Sequence, residues 1–336
     1  MILDTMNLAS GSAGAYSDAI AGEIPTGPGQ PRVIYRNAGT DYILVEYGEL
    51  LLDINLRLRV DVLEKAINLM RINGVVEMSP GVRSLLIHYD GLRLPLVKML
   101  EILKFIERNL SKSIPDKINS RNVTLPVAFN DSSVKEALEK YMNSIRKEGP
   151  YLPDNMEFIA RCNGLSGPDE VIQYLLASQY LVLGLGDVYL GAPCATALDP
   201  RRRMVVPKFN PARTWTAEGT IGLGGAFLCI YPMSSPGGYQ LLGRTLPIWN
   251  TYQTSRTFSE APWLLRHFDK ITFKLVSEEE LIDLRDKVFR NVCEFDVTES
   301  VFDIGEYNLF VEKVGHEVEA FKIRQRDAVV AATVGY

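Results

Sequence analysis

The sequence predicts an α+β protein: an N-terminal α/β sandwich domain, a β-rich domain after it, and a C-terminal helical tail. Three observations carry that prediction. Between Arg32 and Leu110, short β-prone runs interleave with amphipathic helical stripes. Between residues 181 and 250, ten of the 26 glycines and seven of the 18 prolines punctuate short apolar runs, a pattern that indicates a closed barrel or a sandwich. After Trp263 the chain turns helical and charged.

The elements follow in chain order. Residues 1–31 are rich in Gly, Ala, Ser and Pro and are expected to form a flexible leader. They hold no Lys or Arg, so the charged start of a secretory signal is missing, and Asp4, Asp18 and Glu23 speak against a transit peptide. The first domain is placed at 32–122. Val33–Tyr35 and Tyr42–Tyr47 read as strands around a turn at Asn37-Ala38-Gly39, and the alternation of Leu52, Ile54, Leu56 and Leu58 suggests a third strand over Leu50–Leu58. Val60, Leu63, Ile67 and Met70 mark a helix. Val75-Val76 and Leu85–Tyr89 give two more strands and Leu96–Leu110 a second helix. Residues 111–122 are polar and read as a connector.

The second domain, 123–275, opens with a strand at Val123–Val127 and continues with helices at Ser132–Ile145, Asp154–Cys162 and Pro168–Ser178. Asp154 is an N-cap candidate, and Asn163-Gly164 is a stop where positive φ is typical. Ser166 precedes Asp169 and Glu170, acids favoured at a helix N-terminus. Leu181–Leu183, Met204–Val206, Phe227–Tyr231 and Tyr239–Leu242 are the strand runs of the Gly-rich region. In the tail, 276–336, Ser277 caps a helix with acids at 278–280, while Phe310, Val314, Val318 and Phe321 share a face of one final helix.

Composition excludes several classes. With 36 Lys+Arg against 41 Asp+Glu, the net charge of −5 argues against a nucleic-acid binder. No uncharged apolar stretch is long enough to span a bilayer. Four cysteines without C-x-x-C spacing (Cys162, Cys194, Cys229, Cys293) suit buried thiols in a reducing, cytoplasmic compartment. His88, His267 and His316 are too scattered for a zinc site of ordinary spacing. Residues 181–250 nevertheless hold six Lys or Arg against three Asp or Glu, so a basic surplus sits among the glycines.

Three stretches there can carry chemistry. Leu183–Gly191 contains G-x-G but lacks the third glycine and following helix of a dinucleotide fingerprint; Asp187 within it can accept an N–H from a substrate or cap a turn. The Arg201–Arg203 triplet reads as a solvated face. Lys208 and Arg213, single cations in a Pro- and aromatic-bounded stretch, can hold a carboxylate or make structural salt bridges, and Asn210 offers a donor and an acceptor together. From Tyr231 to Thr245, prolines and glycines around Ser234-Ser235 force a tight loop. Successive N–H groups at Gly237 and Gly238 can form an anion-binding nest or a plain hairpin turn. No G-x-S-x-G elbow surrounds the serines and no His lies nearby, which speaks against a serine hydrolase.

The run SPGGYQLLGRT, with LVLGLGDVYLGAP and KFNPARTW ahead of it, resembles the allophanate hydrolase subunit 1 (KipI-like) family from about Arg32 onward. KipI-type members tend to carry G-F-x-P-G-F-x-Y-L where this chain has GLGDVYLG. That departure, with RVIYRNAGTDYILVEYG, PGVRSLLIHYD and SEEELIDLRD, is most similar to the carboxyltransferase region of urea carboxylase (urea amidolyase). The resemblance implies a cyclophilin-like β-barrel after the first domain. It implies a partner of the allophanate hydrolase subunit 2 (KipA-like) type, and a site that transfers CO2 from carboxybiotin to urea or a urea-like molecule. No ATP-grasp pattern and no A-M-K-M biotin site occur, so biotin and ATP are expected on biotin carboxyl carrier and biotin carboxylase domains, with no cofactor held stably here. On this basis Asp187 and Asn210 are expected to orient urea, Lys208 and Arg213 to hold carboxylate, and Tyr189 to act as wall or proton relay. Ser235, Gly237, Gly238, Gln240 and Arg244 are expected to line the pocket. The competing expectations are a subunit of a lactam-cleaving, ATP-dependent 5-oxoprolinase-like complex, or a non-catalytic KipI-like inhibitor.

Overall fold

A computed structural model describes residues 19–110, 114–186, 191–252 and 255–334. They form two compact units that divide between Pro115 and Asp116.

The first unit contains β1 (Ile20–Ile24), β2 (Val33–Asn37), β3 (Tyr42–Tyr47), α1 (Ile54–Met70), β4 (Val75–Pro80), β5 (Ser84–Tyr89) and α2 (Leu96–Leu110). The strands make one antiparallel sheet in the order β1-β2-β3-β5-β4. Val33, Tyr35, Ile43, Val45, Tyr47, Leu85, Ile87 and Tyr89 alternate onto its buried face. That face packs on Val60, Leu63 and Ile67 of α1 and on Met99, Leu103 and Ile106 of α2. Two expectations change. Leu50–Leu58 is not a strand: Asp53 accepts the Asn55 N–H at 2.9 Å and starts α1 at Ile54. A period-two string also contains the i, i+4 pair Ile54 and Leu58, and both are buried on the helix. Within the expected leader, Ile20–Ile24 pairs with β2 as an edge strand; residues 1–18 lie outside the described residues.

The second unit begins with β6 (Lys117–Phe129), which starts inside the stretch expected to be a connector. Its polar residues conceal two alternations, with Ile118 and Ser120 buried on the face opposite Val123, Leu125 and Val127. There follow α3 (Ser132–Ser144), α4 (Asn155–Asn163), α5 (Pro168–Leu176), β7 (Tyr180–Leu185), β8 (Pro193–Ala197), β9 (Arg213–Thr216), β10 (Thr220–Gly224) and β11 (Phe227–Ile230). The unit ends with β12 (Ser235–Gly237), β13 (Gln240–Arg244), β14 (Lys270–Leu275), α6 (Glu278–Phe289), β15 (Asp296–Asp303), α7 (Ile304–Lys313) and α8 (Gly315–Thr333). The main sheet runs β13-β10-β11-β8-β7-β14-β6-β15, and β13 also pairs with β6, so the strand order returns on itself. One edge of β6 makes this possible. It pairs with β15 over Lys117–Thr124 and then with β13 at Ala128 and Phe129, while the other edge runs parallel to β14. β9 and β12 form a separate two-stranded piece.

The capping expectations hold: Asp154 accepts from Met156 and Glu157, Gly164 ends α4 with φ 62°, and Ser277 accepts from Glu280. Met204–Val206 contributes only a bridge, from Val206 to Gly225. The tail is more than helices, since β15 joins the sheet. Its expected single final helix is two, α7 and α8, meeting at Val314. Gln325 of α8 donates to Asn163 Oδ1 at 2.6 Å and to the Arg203 carbonyl at 3.0 Å, which fixes the tail against the end of α4. No helix among the described residues is long and apolar enough to cross a membrane.

Candidate active site

Seven of the ten predicted site residues, Lys208, Asn210, Arg213, Ser235, Gly237, Gly238 and Gln240, lie where the segment leading into β9 crosses the β12–β13 turn. The Phe209 N–H donates to the Gly238 carbonyl at 2.6 Å, and Gln240 Nε2 donates to the Pro207 carbonyl at 2.8 Å. Beneath, the Phe209 ring lies 4.1 Å from that of Tyr151 and 4.9 Å from that of Tyr141. Tyr151 donates to the Asn210 carbonyl at 3.1 Å and Tyr141 to the Pro211 carbonyl at 2.9 Å. This aromatic floor holds Lys208, Phe209 and Asn210 in place, with Lys208 and Asn210 exposed.

Two residues outside the predicted site, at the ends of the predicted strand runs, organise the centre. Tyr231 and Tyr239 flank the SSPGG turn, and both are buried with Ala192 and Cys229. The Tyr239 ring fits a slot left by two glycines of β10. A Cβ at Gly222 or at Gly224 would come within 2.7 Å of Tyr239. The Lys208 ammonium stands 4.5 Å from the centre of the Tyr239 ring, a cation–π contact. A Cβ at Gly237 would overlap the Tyr231 hydroxyl, so this glycine is a close-approach residue.

Arg213 requires a correction. It is 1% exposed, and its donors are engaged by Thr216 Oγ1 (3.2 Å), the Tyr239 carbonyl (2.7 Å) and the Tyr231 hydroxyl (3.2 Å). Its guanidinium lies 4.5 Å from the Phe209 ring centre, and among the described residues no carboxylate pairs with it. Burial lowers its pKa from the ordinary arginine value and raises that of Tyr231 above the ordinary tyrosine value. Of the two cations expected to hold a carboxylate, only Lys208 faces outward.

Gly237 and Gly238 also depart from expectation. Neither has positive φ, and Gly237 belongs to β12 opposite Arg213, so the cupped turn of a nest does not form. Ser235 Oγ and Gln240 Oε1 are buried polar atoms without a hydrogen-bond partner among the described residues. Arg244 lies apart from the cluster. Its Nε donates to the Glu218 carbonyl at 2.8 Å and its Nη1 to Ser133 Oγ at 2.9 Å, beside the Glu218–Arg285 ion pair. Asp187 and Tyr189 fall outside the described residues; next to them, Gly186 donates to the Ala192 carbonyl at 2.8 Å, and Ala192 packs with Tyr231 and Tyr239.

A folded-back β sheet that presents an exposed lysine on a buried tyrosine, beside a buried arginine that no carboxylate among the described residues pairs with, offers positive charge to a small anionic group. Residues 33–259 match the family described as carboxyltransferase domain, subdomain C and D, and the chain belongs to that family. It is 41% identical over 292 residues to the urea amidolyase of Saccharomyces cerevisiae, covering 87% of this chain and 16% of that protein. It is 36% identical over 332 residues to a putative urea carboxylase of Emericella nidulans, covering 94% of this chain and 26% of that one. Among solved structures, the Kluyveromyces lactis urea carboxylase superposes with a TM-score of 0.84 at 37% identity, over 95% of this chain and 29% of that chain. The chain therefore spans about a quarter or less of the length of these curated relatives. A 5-oxoprolinase subunit of Bacillus subtilis is more distant, 28% identical over 62% of this chain and 78% of its own length.

Proposed function

We propose that this chain supplies the carboxyltransferase half-site of a urea carboxylase-type, biotin-dependent system, and that it helps to transfer a carboxyl group to urea or a urea-like molecule. The observation that carries this reading is the likeness to urea carboxylase over nearly the whole chain, against a weaker likeness to the 5-oxoprolinase subunit over a smaller part of it. The closed strand order is read here as the cyclophilin-like barrel the resemblance implies. Biotin and ATP would be held on biotin carboxyl carrier and biotin carboxylase domains, with a subunit 2 (KipA-like) partner completing the site in the cytoplasm.

The residues present fit a carboxyl-bearing group at one point. Lys208 is exposed, cationic and held on the Tyr239 ring, with Ser235 Oγ and Gln240 Oε1, which have no hydrogen-bond partner among the described residues, near the same turn. Biotin, when loaded on its carrier, supplies the activated carboxyl. This chain's own part is to attract the negative charge with Lys208 and to present the Asn210 amide beside it for a urea-like nucleophile. Asp187 and Tyr189 remain assigned to urea orientation and to the wall or relay.

The chain is tested in complex with the remaining urea carboxylase domains, by ADP release with urea, guanidine or 5-oxoproline. Urea-dependent ADP release that requires this chain is the expected result. ADP release with 5-oxoproline alone would shift the assignment to lactam cleavage, and none with any of the three would leave a binding role.

A further inference from the structure

Arg213 is the buried cation of the cluster, and its placement runs against its own stability. Taking an arginine out of water costs several kcal/mol unless an acid compensates, and apolar side chains of similar volume often serve stability as well or better. Arg213 has no acid partner among the described residues. Its side chain instead reaches neutral oxygens on three different strands or their ends: Thr216 on β9, Tyr231 after β11 and the Tyr239 carbonyl ahead of β13. Tyr239 in turn carries the Lys208 ammonium on its ring, and Tyr231 fills the space kept open by Gly237.

We infer that Arg213 is a positioning residue: it fixes Tyr231 and Tyr239 and, through the Tyr239 ring, holds Lys208 as the anion-facing cation of the site. The fork geometry explains why an arginine is required. Three acceptors lie in different directions from one planar group, and neither a lysine nor an apolar chain reaches all three. With Arg213 bonded to the Tyr239 carbonyl and Lys208 on the Tyr239 ring, two positive charges flank one residue beside an exposed point, which selects a small anion such as a carboxylate over a neutral ligand. That last step rests on the proposed carboxyl transfer; the positioning does not.

The test separates the two. In protein reductively methylated with 13C, the Lys208 signal, assigned by its loss in K208R, is shifted upfield by the Tyr239 ring. Lys140, whose ammonium lies 3.9 Å from the Trp215 ring centre, gives an internal reference on β9. In R213M and R213K the Lys208 signal is expected to return to the position of solvated lysines, while the Lys140 signal stays. Y231F, which removes only the hydroxyl, is expected to give a smaller shift in the same direction. In the assembled complex, R213M and K208M should each lower urea-dependent turnover about tenfold or more. The double variant should lose no more than the worse single one. An unmoved Lys208 signal in both Arg213 variants overturns the inference, and so does loss of the Lys140 signal together with that of Lys208, which would mark a purely structural role. Selective loss at Lys208 with turnover intact keeps the positioning and overturns the carboxyl-transfer reading.

Discussion

Both units bury arginines, and two of these, Arg59 in the first and Arg213 in the second, are buried on opposite terms. In the first unit, Arg59 of α1 meets Glu107 of α2, with Nε donating to Oε1 at 2.8 Å and Gln30 accepting from the same guanidinium at 2.9 Å. Tyr47 donates to the other carboxylate oxygen at 2.9 Å. Charge is neutralised where it is buried, and both helices are tied to the sheet. In the second unit, Arg213 is satisfied by a hydroxyl, a phenol and a carbonyl, so its hydrogen bonds are met while no carboxylate among the described residues meets its charge. The first arrangement locks a core. The second leaves a positive field and three oriented neighbours beside an exposed lysine, which is what an anion-recognising site needs.

The sharpest way to break this comparison is to turn Arg59 into an Arg213-like case. Glu107→Ala leaves the arginine buried without its acid and is expected to cost about 3–5 kcal/mol in denaturant unfolding. A cost below that of an Arg213 substitution would remove the contrast. Gly237→Ala presses a methyl group into the Tyr231 hydroxyl, and overpacking of this kind costs about 1–3 kcal/mol. It should also displace the Tyr231 ring in a crystal structure. Arg213→Met relieves a buried charge while stranding three acceptors, so the opposing effects largely cancel and about 1 kcal/mol is expected by the same unfolding assay. An exposed charge sets the lower end of the scale. Glu278 accepts the Ser132 N–H at 2.9 Å, and hydrogen bonds from the Ser132 side chain and backbone lower its pKa. A lowered carboxyl stabilises above its unfolded pKa and loses that contribution as pH falls through the folded value. Glu278→Gln should therefore cost only a few tenths of a kcal/mol near neutrality, with the difference shrinking below the ordinary glutamate range.

Much of the scaffold was legible locally. Asp154, Gly164 and Ser277 act as the caps their types suggest, because capping is decided within three or four residues of chain. The first unit's alternation at Val33–Tyr35 and Leu85–Tyr89 survives unchanged, since one face of that sheet is buried along its length. The strand expected at Leu50–Leu58 failed because period two and spacing i, i+4 share members, and only the Asp53 cap separates them. β6 was cut short because its first half, paired with β15, carries mostly polar residues and changes its buried face before Val123.

For the site, the resemblance to urea carboxylase placed Lys208, Asn210, Arg213, Gly237, Gly238 and Gln240 in one neighbourhood, and they bracket a single crossing of two segments. Residue types alone set the caps, the Gly-rich strand pattern and the basic surplus of residues 181–250. What only the tertiary structure decided is which cation faces outward. Arg213 and Lys208 are both plain cations in the sequence; the contacts that bury one and expose the other come from Tyr231 and Tyr239, 18 and 26 residues beyond Arg213. Burial and charge compensation depend on what lies across the fold, and a pattern read along the chain carries no information about that distance.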